Sequence, residues 1–334
     1  MCKEFKIKLD ETTDLLDSRT FENYDAQELL GLADSIKKSC FEMLFNSHIE
    51  CCPYCGCEHI VKAGKNSAGR QRYKCNNCKK RFINSTSHLM HWSHLSKEQW
   101  EILFYSSLNN DYLSKTAKLV GISIVSAFYN RHKLLYILNK LINPVCLSKE
   151  IILDETYLNY QAKGYENKNR RGISKDKIGI ACAIDKDGNY VIQVADRGRP
   201  TSNTLIEIFK DFIKSESLVI TDSQRSYHQL IDALKVKWIK IPSGEKSKNG
   251  YTLEKVNHLH DRLKAFFRGK RNVMSHYLQG YLALFQYREL HTMMIGTPLF
   301  QEEFMKINNI LSGIRNKDIC PEVNLYKTLY NVEC

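Results

Sequence analysis

The sequence predicts an α/β fold, in which a mixed sheet with flanking helices is preceded by two small N-terminal modules. Apolar, β-rich runs alternate with helical segments between residues 149 and 290. Two Cys-x-x-Cys pairs lie between residues 52 and 78, and a helical stretch follows at residues 96–140. At 334 residues the chain has room for one large domain and one or two small ones.

Charge is spread unevenly along the chain, whose net charge is +12. Residues 1–50 contain 6 Lys and Arg against 11 Asp and Glu, residues 51–100 contain 9 against 2, and residues 235–275 contain 11 against 3. Two basic blocks indicate a polyanionic partner. For either block alone, a basic surface that only aids solubility is the competing interpretation.

The cysteines and the N-terminus indicate an intracellular protein. The chain has 12 cysteines, but its first residues, MCKEFKIKLDETTD, are charged and lack the apolar run of a signal peptide. No apolar run approaches the roughly 20 residues that span a bilayer. We therefore expect a cytoplasmic, nucleoid-associated protein with no membrane partner, whose thiols are reduced or bound to metal.

Residues 1–48 form the first predicted segment and are helical. Within it, residues 25–45 read as an amphipathic helix that serves as a dimer contact or as a cap on the next module.

Residues 49–85 are predicted to form a zinc ribbon. Cys52 and Cys55 form one knuckle and Cys75 and Cys78 another, 19 residues further on, and two such knuckles complete a tetrahedral Zn²⁺ site. Cys51 and Cys57 do not keep the two-residue spacing and are expected to be spare. A ribbon that only stabilises the fold or binds protein is the alternative. The basic residues expected to face DNA phosphates are Arg70, Arg72, Lys79, Lys80 and Arg81.

Residues 94–142 are predicted to form a helix-turn-helix. Ser96 is a candidate N-cap, Gly121 permits a sharp turn, and a second helix from about Ser123 to Leu138 could enter a major groove. A three-helix unit with a purely structural role fits the same pattern.

Residues 149–290 are predicted to form the large domain. Strands are expected at 151–157, 177–184, 189–195, 218–221 and 237–241, and helices at 201–215, 226–234 and 251–267. This order of elements resembles the ribonuclease H-like fold. A C-terminal helical tail, residues 291–334, gives no sign of its function.

Asp154 and Asp222 each lie at an apolar strand, and we expect them to meet at the centre of the sheet. Two carboxylates so placed could hold Mg²⁺ or Mn²⁺ for in-line attack on a phosphodiester. An aspartate at a strand end is also a common turn or cap residue, which is the alternative for either one alone.

The helix after Tyr251 places Glu254, Asn257, Asp261 and Lys264 on one face. A solvent-exposed polar face without a function would show the same pattern of residues. Because this face is expected to meet the sheet edge with both aspartates, we favour a functional role.

In these motifs the chain resembles the DDE-type insertion-sequence transposases with an N-terminal zinc ribbon, in the branch whose signature is Asp, Asp, Asn and Lys. The matching segments are CPYCG and YKCNNCKKRF in the ribbon, ILDETY, VITDSQRSY, and VNHLHDRLKAFFRG with HYLQGYLALFQYR. The resemblance implies that Asp154, Asp222 and Asn257 form the catalytic magnesium site and that Lys264 contacts DNA phosphate. It also implies binding to the terminal inverted repeats of double-stranded DNA, metal-dependent cleavage and strand transfer, and a homo-oligomer on DNA.

The sequence leaves the third metal ligand and the class of activity undecided. Asn257 is a neutral ligand, so Glu254 or Asp261, one turn to either side, could supply the missing charge. A non-catalytic DNA-binding regulator and a ribonuclease H-like nuclease without strand transfer remain alternatives. Basic residues of the helix and beyond are expected to follow the DNA backbone: Lys255, His258, His260, Arg262, Arg268, Lys270 and Arg271.

Overall fold

The computed structural model describes Gln27 and residues 49–309, apart from 67–70, 84–85, 87, 92, 143–144, 167, 169, 271–272 and 292–295. The predicted helix at 25–45, apart from Gln27, and the residues Arg70 and Arg271 lie outside this part of the chain. Two compact units divide after Thr86. Over the described residues, no helix is both long and apolar enough to cross a membrane.

The first unit contains a three-stranded antiparallel sheet, formed by β1 (Ile60–Lys65), β2 (Gln71–Cys75) and β3 (Arg81–Ile83). Its small core consists of Cys52, Cys75 and Phe82, with Tyr73 stacked on the Phe82 ring at a centroid distance of 5.9 Å. So little apolar burial is typical of a module that depends on a bound metal.

The second unit begins with three helices: α1 (Lys97–Leu108), α2 (Leu113–Val120) and α3 (Ile124–Leu141). Ser96 caps α1 in a capping box with Gln99, as its position in the sequence predicts. Gly121 ends α2 in the left-handed region at φ 73°, and Ser123 caps α3.

Helix α3 is far more buried than a groove-reading helix would be. Nearly every residue from Ala127 to Leu138 is at least half-buried, and the helix packs against the later helix α7 (Leu278–Leu290). Its first turn, with Ile124 and Val125, is exposed. Most of α3 is therefore a structural element, and the helix-turn-helix hypothesis is limited to that first turn.

A five-stranded sheet forms the centre of the second unit. Its strands are β4 (Glu150–Asn159), β5 (Lys177–Asp185), β6 (Tyr190–Arg197), β7 (Leu218–Thr221) and β8 (Lys237–Lys240), in the spatial order β6-β5-β4-β7-β8. β5 is antiparallel to both of its neighbours, β4 and β6, whereas β4, β7 and β8 are parallel to one another. This topology is ribonuclease H-like, which confirms the predicted fold class.

Helices α4 (Ser202–Phe209) and α5 (Tyr227–Leu234) connect the later strands and help to form the apolar core. α4 is shorter than predicted, because the chain turns after Phe209 and Ile213 bridges to Leu147. Core residues shared by the sheet and these helices include Leu147, Ile151, Leu153, Ala181, Ala183, Leu205, Phe209, Val219, Tyr227 and Leu230.

The last helices of the domain are α6 (Glu254–Arg268), a 3₁₀ turn (Ser275–Tyr277), α7 and α8 (Pro298–Asn309). α6 starts three residues later than predicted, because Tyr251 and Thr252 pair with the strand Ser247–Lys248. Asn249 and Gly250 form the turn of this hairpin, both with positive φ.

Candidate active site

Asp154 and Asp222 lie side by side on two central strands of the sheet. β4 and β7 are parallel, and Ile152 is in register with Ile220. Each aspartate follows its member of that pair by two residues, so both side chains leave the sheet on the same face, Asp154 from the middle of β4 and Asp222 directly after the end of β7. The parallel register thus brings together two carboxylates that are 68 positions apart in sequence.

The Asp154 carboxylate is destabilised in its charged form. Burial raises its pKa to about 6, Asp222 adds to the increase, and the Glu155 amide and Lys264 oppose it. The Glu155 amide donates a hydrogen bond of 2.9 Å to Asp154 Oδ1. A cation placed between the two aspartates would offset the unfavourable charge.

Glu155 is a residue of the site that sequence reasoning did not identify. The side-chain Nε2 of Gln224 donates to Glu155 Oε2 at 3.1 Å, and the backbone N–H of Gln224 donates to Asp222 Oδ1 at 2.8 Å. Gln224 therefore couples the two carboxylates of Glu155 and Asp222. Burial raises the pKa of Glu155 to about 7, and Asp154 and Asp222 contribute to the increase. The adjacent acidic residue in ILDETY was the available signal.

His260 faces the site and is not positioned to follow the DNA backbone, which corrects the sequence-based expectation. Its Nδ1 lies 3.9 Å from Asp154 Oδ2, beyond hydrogen-bond distance, and its side chain is 7% exposed. Burial, reinforced by Lys264, lowers the pKa of His260 to about 4, so the imidazole is neutral. Around the helix axis, the buried face of α6 therefore extends as far as His260.

The phase of α6 favours Asn257 as the third group over its two acidic neighbours. At 3.6 residues per turn, Asn257 and Lys264 lie about 60° and 40° around the helix from His260, whereas Asp261 and Glu254 lie about 100° and 120° away. All four side chains are exposed, and Glu254 is directed towards His258 at 3.7 Å. Around the helix, Asn257 therefore lies closer to His260 than either acidic neighbour does.

The donor set fits a divalent cation that takes oxygen ligands. Asp154 and Asp222 would hold it, the Asn257 amide is the nearest candidate for a third ligand, and carboxylate and amide oxygens suit Mg²⁺ and Mn²⁺. Among the described residues, the group of three or more His, Cys, Asp or Glu whose ligand atoms lie within reach of one ion is a different one. The two aspartates would therefore need an amide, water or DNA oxygen to complete a coordination shell.

That other group is the cysteine cluster of the first unit. The Sγ atoms of Cys52, Cys55, Cys75 and Cys78 lie within 4.8 Å of one another. The pairs Cys52–Cys78 and Cys55–Cys75 are each 3.6 Å apart, close to the roughly 3.8 Å edge of a tetrahedron with Zn–S bonds near 2.3 Å. Although burial opposes it, amide hydrogen bonds from Cys78 and Asn77 lower the pKa of the Cys75 thiol to about 6. Cys51 and Cys57 lie outside the cluster.

The side chains predicted to contact DNA differ in their solvent exposure. Lys79, Lys80, Arg81, Lys264 and Arg268 are exposed. Arg72 is half-buried, and Arg262 Nε pairs with Glu289 at 2.9 Å.

Lys270 is 7% exposed, and its Nζ donates to the Asp111 carbonyl at 3.2 Å. Lys270 is therefore not on the surface that was expected to follow the backbone of duplex DNA, which corrects the sequence-based expectation.

A shallow cavity of about 470 Å³ adjoins Asp222 and has two exposed cations at its rim, Arg199 and Arg225. Sequence reasoning did not single out either arginine. They lie where a phosphate backbone that approaches Asp222 would pass.

The five-stranded sheet has ribonuclease H-like topology, and Asp154 and Asp222 lie next to each other on it. Residues 146–289, which are 144 of the 334 residues of the chain, match the family described as ISXO2-like transposase domain, DDE_Tnp_IS1595. This match confirms the resemblance to a transposase domain seen in the motifs. No curated protein matches the chain in sequence.

Similar solved structures share only low overall similarity with the chain. One is a simian T-cell lymphotropic virus intasome in complex with PP2A regulatory subunit B56 gamma, at 15% identity over 59% of this chain and 71% of that chain, TM-score 0.31. The catalytic core domain of BIV integrase is 15% identical over 48% of this chain and 97% of that chain, TM-score 0.29. A Mos1 transposase paired-end complex with the left transposon end is 14% identical over 84% and 76%, TM-score 0.23. Such scores support no conclusion about activity or partners.

Proposed function

We propose that this protein is a DNA transposase that binds the terminal inverted repeats of its element, cleaves DNA strands and joins them to target DNA. The observation that carries the proposal is the pair Asp154 and Asp222 on two central strands of a domain that matches the transposase family. The protein acts on double-stranded DNA in the cytoplasm, associated with the nucleoid, and assembles as a homo-oligomer on DNA.

In this proposal Asp154, Asp222 and Asn257 hold Mg²⁺ or Mn²⁺, and Zn²⁺ is bound by the four ribbon cysteines. The divalent cation, when bound, activates the attacking oxygen and stabilises the leaving oxygen. Gln224 and Glu155 hold Asp222 in position, and His260 closes the inner side of the site against water. Lys264, Arg199 and Arg225 align the DNA phosphates, so positioning supplies much of the rate enhancement.

The basic surfaces would provide most of the affinity for DNA. Lys79, Lys80 and Arg81 lie on the ribbon, and Lys264 and Arg268 lie on α6. Contacts of this kind are made mainly to phosphates, so binding should weaken steeply as salt concentration rises.

The test uses purified full-length protein, DNA that carries the inverted repeats of the element, and added Mg²⁺ or Mn²⁺. Asp154→Asn and Asp222→Asn should each reduce cleavage and joining by at least about 1000-fold, because a neutral amide binds the cation poorly. Asp232→Asn, an exposed change on α5, is the matched control and should keep full activity. Cleavage without joining would favour a nuclease. Full activity of Asp154→Asn would refute the assigned site.

A further inference from the structure

A second pocket, which neither Asp154 nor Asp222 lines, lies between helices α2 and α3 on one side and α7 with the residues before it on the other. Its volume is about 280 Å³, close to the lower end of the range for small-molecule sites. The pocket wall includes Tyr112, Ser114, Phe128, Arg131, His132, Lys270 and Tyr277.

Two buried cations converge on this pocket. Arg131 is 1% exposed and Lys270 is 7% exposed. Arg131 Nη1 and Lys270 Nζ donate to the same oxygen, the carbonyl of Asp111, at 3.0 and 3.2 Å. A like-charged pair in a buried setting is costly unless an anion compensates it.

The nearest carboxylate is already engaged by other groups. Asp111 Oδ1 accepts from Lys115 Nζ at 2.7 Å, and Asp111 Oδ2 accepts from Ser106 Oγ at 3.0 Å. Within the described part of the chain, no ion pair joins a carboxylate to Arg131 or Lys270. Burial and the neighbouring Arg131 lower the pKa of Lys270 to about 7, against a smaller opposing effect of the Asp111 charge.

Aromatic rings make up much of the remaining pocket wall, which also contains polar atoms without hydrogen-bond partners among the described residues. Arg131 Nε and His132 Nε2 are buried without hydrogen-bond partners among the described residues. The His132 ring lies 4.1 Å from the Phe128 ring and 4.2 Å from the Tyr277 ring, between centroids. Tyr112, which is 52% exposed, also lines the pocket and leaves part of its ring free for stacking.

We propose that this pocket binds one nucleotide, whose phosphate lies between Arg131 and Lys270 and whose base contacts the aromatic wall. Arginine and lysine are the usual phosphate-binding cations, and stacking on aromatic rings contributes to binding for any base. The nucleotide comes either from an unpaired end of the DNA substrate or from the free pool. Both sources present the same chemistry to the pocket.

The inference is tested by calorimetric titration of deoxyadenosine monophosphate and of inorganic phosphate into full-length Asp154→Asn protein, without added divalent cation. Binding then does not depend on catalysis, so failure of the strand-transfer proposal and failure of this one are distinguishable. One nucleotide should bind per chain, at least about tenfold more tightly than phosphate. No nucleotide binding, or equal affinity for both probes, would overturn the proposal.

Three variants in the same background locate the ligand. Lys270→Gln removes a cation, Ser114→Trp fills the pocket from its exposed rim, and Tyr112→Ala removes an aromatic surface; each should weaken nucleotide binding about tenfold or more. Arg131 is left unchanged, because its guanidinium also holds Asp111 and Thr116. Lys118→Trp on α2 and Tyr136→Ala on α3 are exposed, do not line the pocket, and should bind normally. Normal binding by Ser114→Trp would contradict the assigned location.

Competition distinguishes the source of the nucleotide. A hairpin DNA with a single unpaired 3′ nucleotide and a blunt hairpin of the same duplex sequence are each titrated against bound deoxyadenosine monophosphate. Displacement by the unpaired end alone assigns the pocket to DNA ends, and no displacement by either hairpin assigns it to free nucleotide. Equal displacement by both hairpins would overturn the inference, because a pocket for one nucleotide cannot accept duplex DNA.

Discussion

At the residue scale, the connection from Glu155 through Gln224 to Asp222 explains how β4 and the loop after β7 are held together. Gln224 donates from its side chain to Glu155 and from its backbone to Asp222. The Glu155 carboxylate is buried, and burial raises its pKa. We infer that Glu155 contributes to the site by positioning Asp222.

Glu155→Ala should reduce strand cleavage about 10- to 100-fold, because Gln224 loses its acceptor and Asp222 becomes less well positioned. Glu155→Gln keeps an acceptor oxygen and should retain most of the activity. Rates are measured over a range of Mg²⁺ concentrations, and the alanine variant should need more Mg²⁺ for half-maximal rate. Equal losses in both variants would show that the charge of Glu155, and not its hydrogen bond, is what matters.

Lys270 should give the second unit a recognisable pH dependence. Its pKa is about 7 in the folded protein, below the ordinary value of 10.5. Between these values the unfolded chain binds one more proton, so stability rises with pH, and the cost of the buried charge is fully present below pH 7. From pH 7 to pH 9, wild type should gain up to about 2 kcal/mol in free energy of unfolding relative to Lys270→Met.

Urea unfolding of both proteins at the two pH values, in buffer without phosphate, measures this difference. A difference between the proteins that does not change with pH would contradict a lowered pKa at Lys270. Lys140→Met changes an exposed lysine on α3 and serves as the control.

At the element scale, α6 shows what periodicity can and cannot predict. The 3.6-residue repeat of Val256, Leu259 and Leu263 identified the buried face, and these residues are buried. The repeat could not show how far around the helix the buried face extends, because that extent depends on contact with the sheet. His260 was therefore assigned to solvent, although it lies against Asp154.

A set of α6 variants tests the phase of the helix. Asn257→Ala should reduce strand transfer at least about tenfold, whereas Glu254→Ala and Asp261→Ala, further around the helix from His260, should stay within about threefold of wild type. Strand transfer is measured on DNA carrying the inverted repeats, with Mg²⁺ and then with Mn²⁺. A large loss in either acidic variant would mean that a carboxylate completes the metal site.

Other elements departed from prediction for identifiable reasons. Strand positions and order followed from apolar runs and turn residues, and the observed sheet matches them. The hairpin at Asn249 and Gly250 was missed, although an Asn-Gly pair is a strong turn signal, because Tyr251 and Thr252 were read as the start of the helix. The burial of α3 comes from α7, more than 130 residues later, and no local pattern reveals such a partner.

At the scale of the whole molecule, the division after Thr86 separates a metal-dependent module from a domain with a large apolar core. Among the described residues of the first unit, the buried core cluster consists of Cys52, Cys75 and Phe82. Their stability should therefore depend on zinc, whereas that of the second unit should not.

Removing zinc with a chelator, or by Cys75→Ser, should unfold the ribbon and abolish specific DNA binding while the second unit stays folded. All three tryptophans, Trp92, Trp100 and Trp238, belong to the second unit, so tryptophan fluorescence follows that unit alone. Its melting temperature should change by less than about 2 °C. Cys146→Ser, at an exposed thiol outside the cluster, is the control. If removal of zinc also abolished the unfolding transition seen by tryptophan fluorescence, the second unit would depend on zinc and the two units would not be independent.

The separation of the ribbon from α6 along the chain also bears on when a newly made protein can act. The last cysteine of the ribbon, Cys78, is synthesised about 180 residues before His260. At roughly 5–20 residues per second, that interval is on the order of 10–40 seconds. During that time a nascent chain can hold a complete ribbon while its proposed catalytic site still lacks one wall. The proposed strand cleavage therefore cannot begin until α6 has been made, well after the ribbon could first engage DNA.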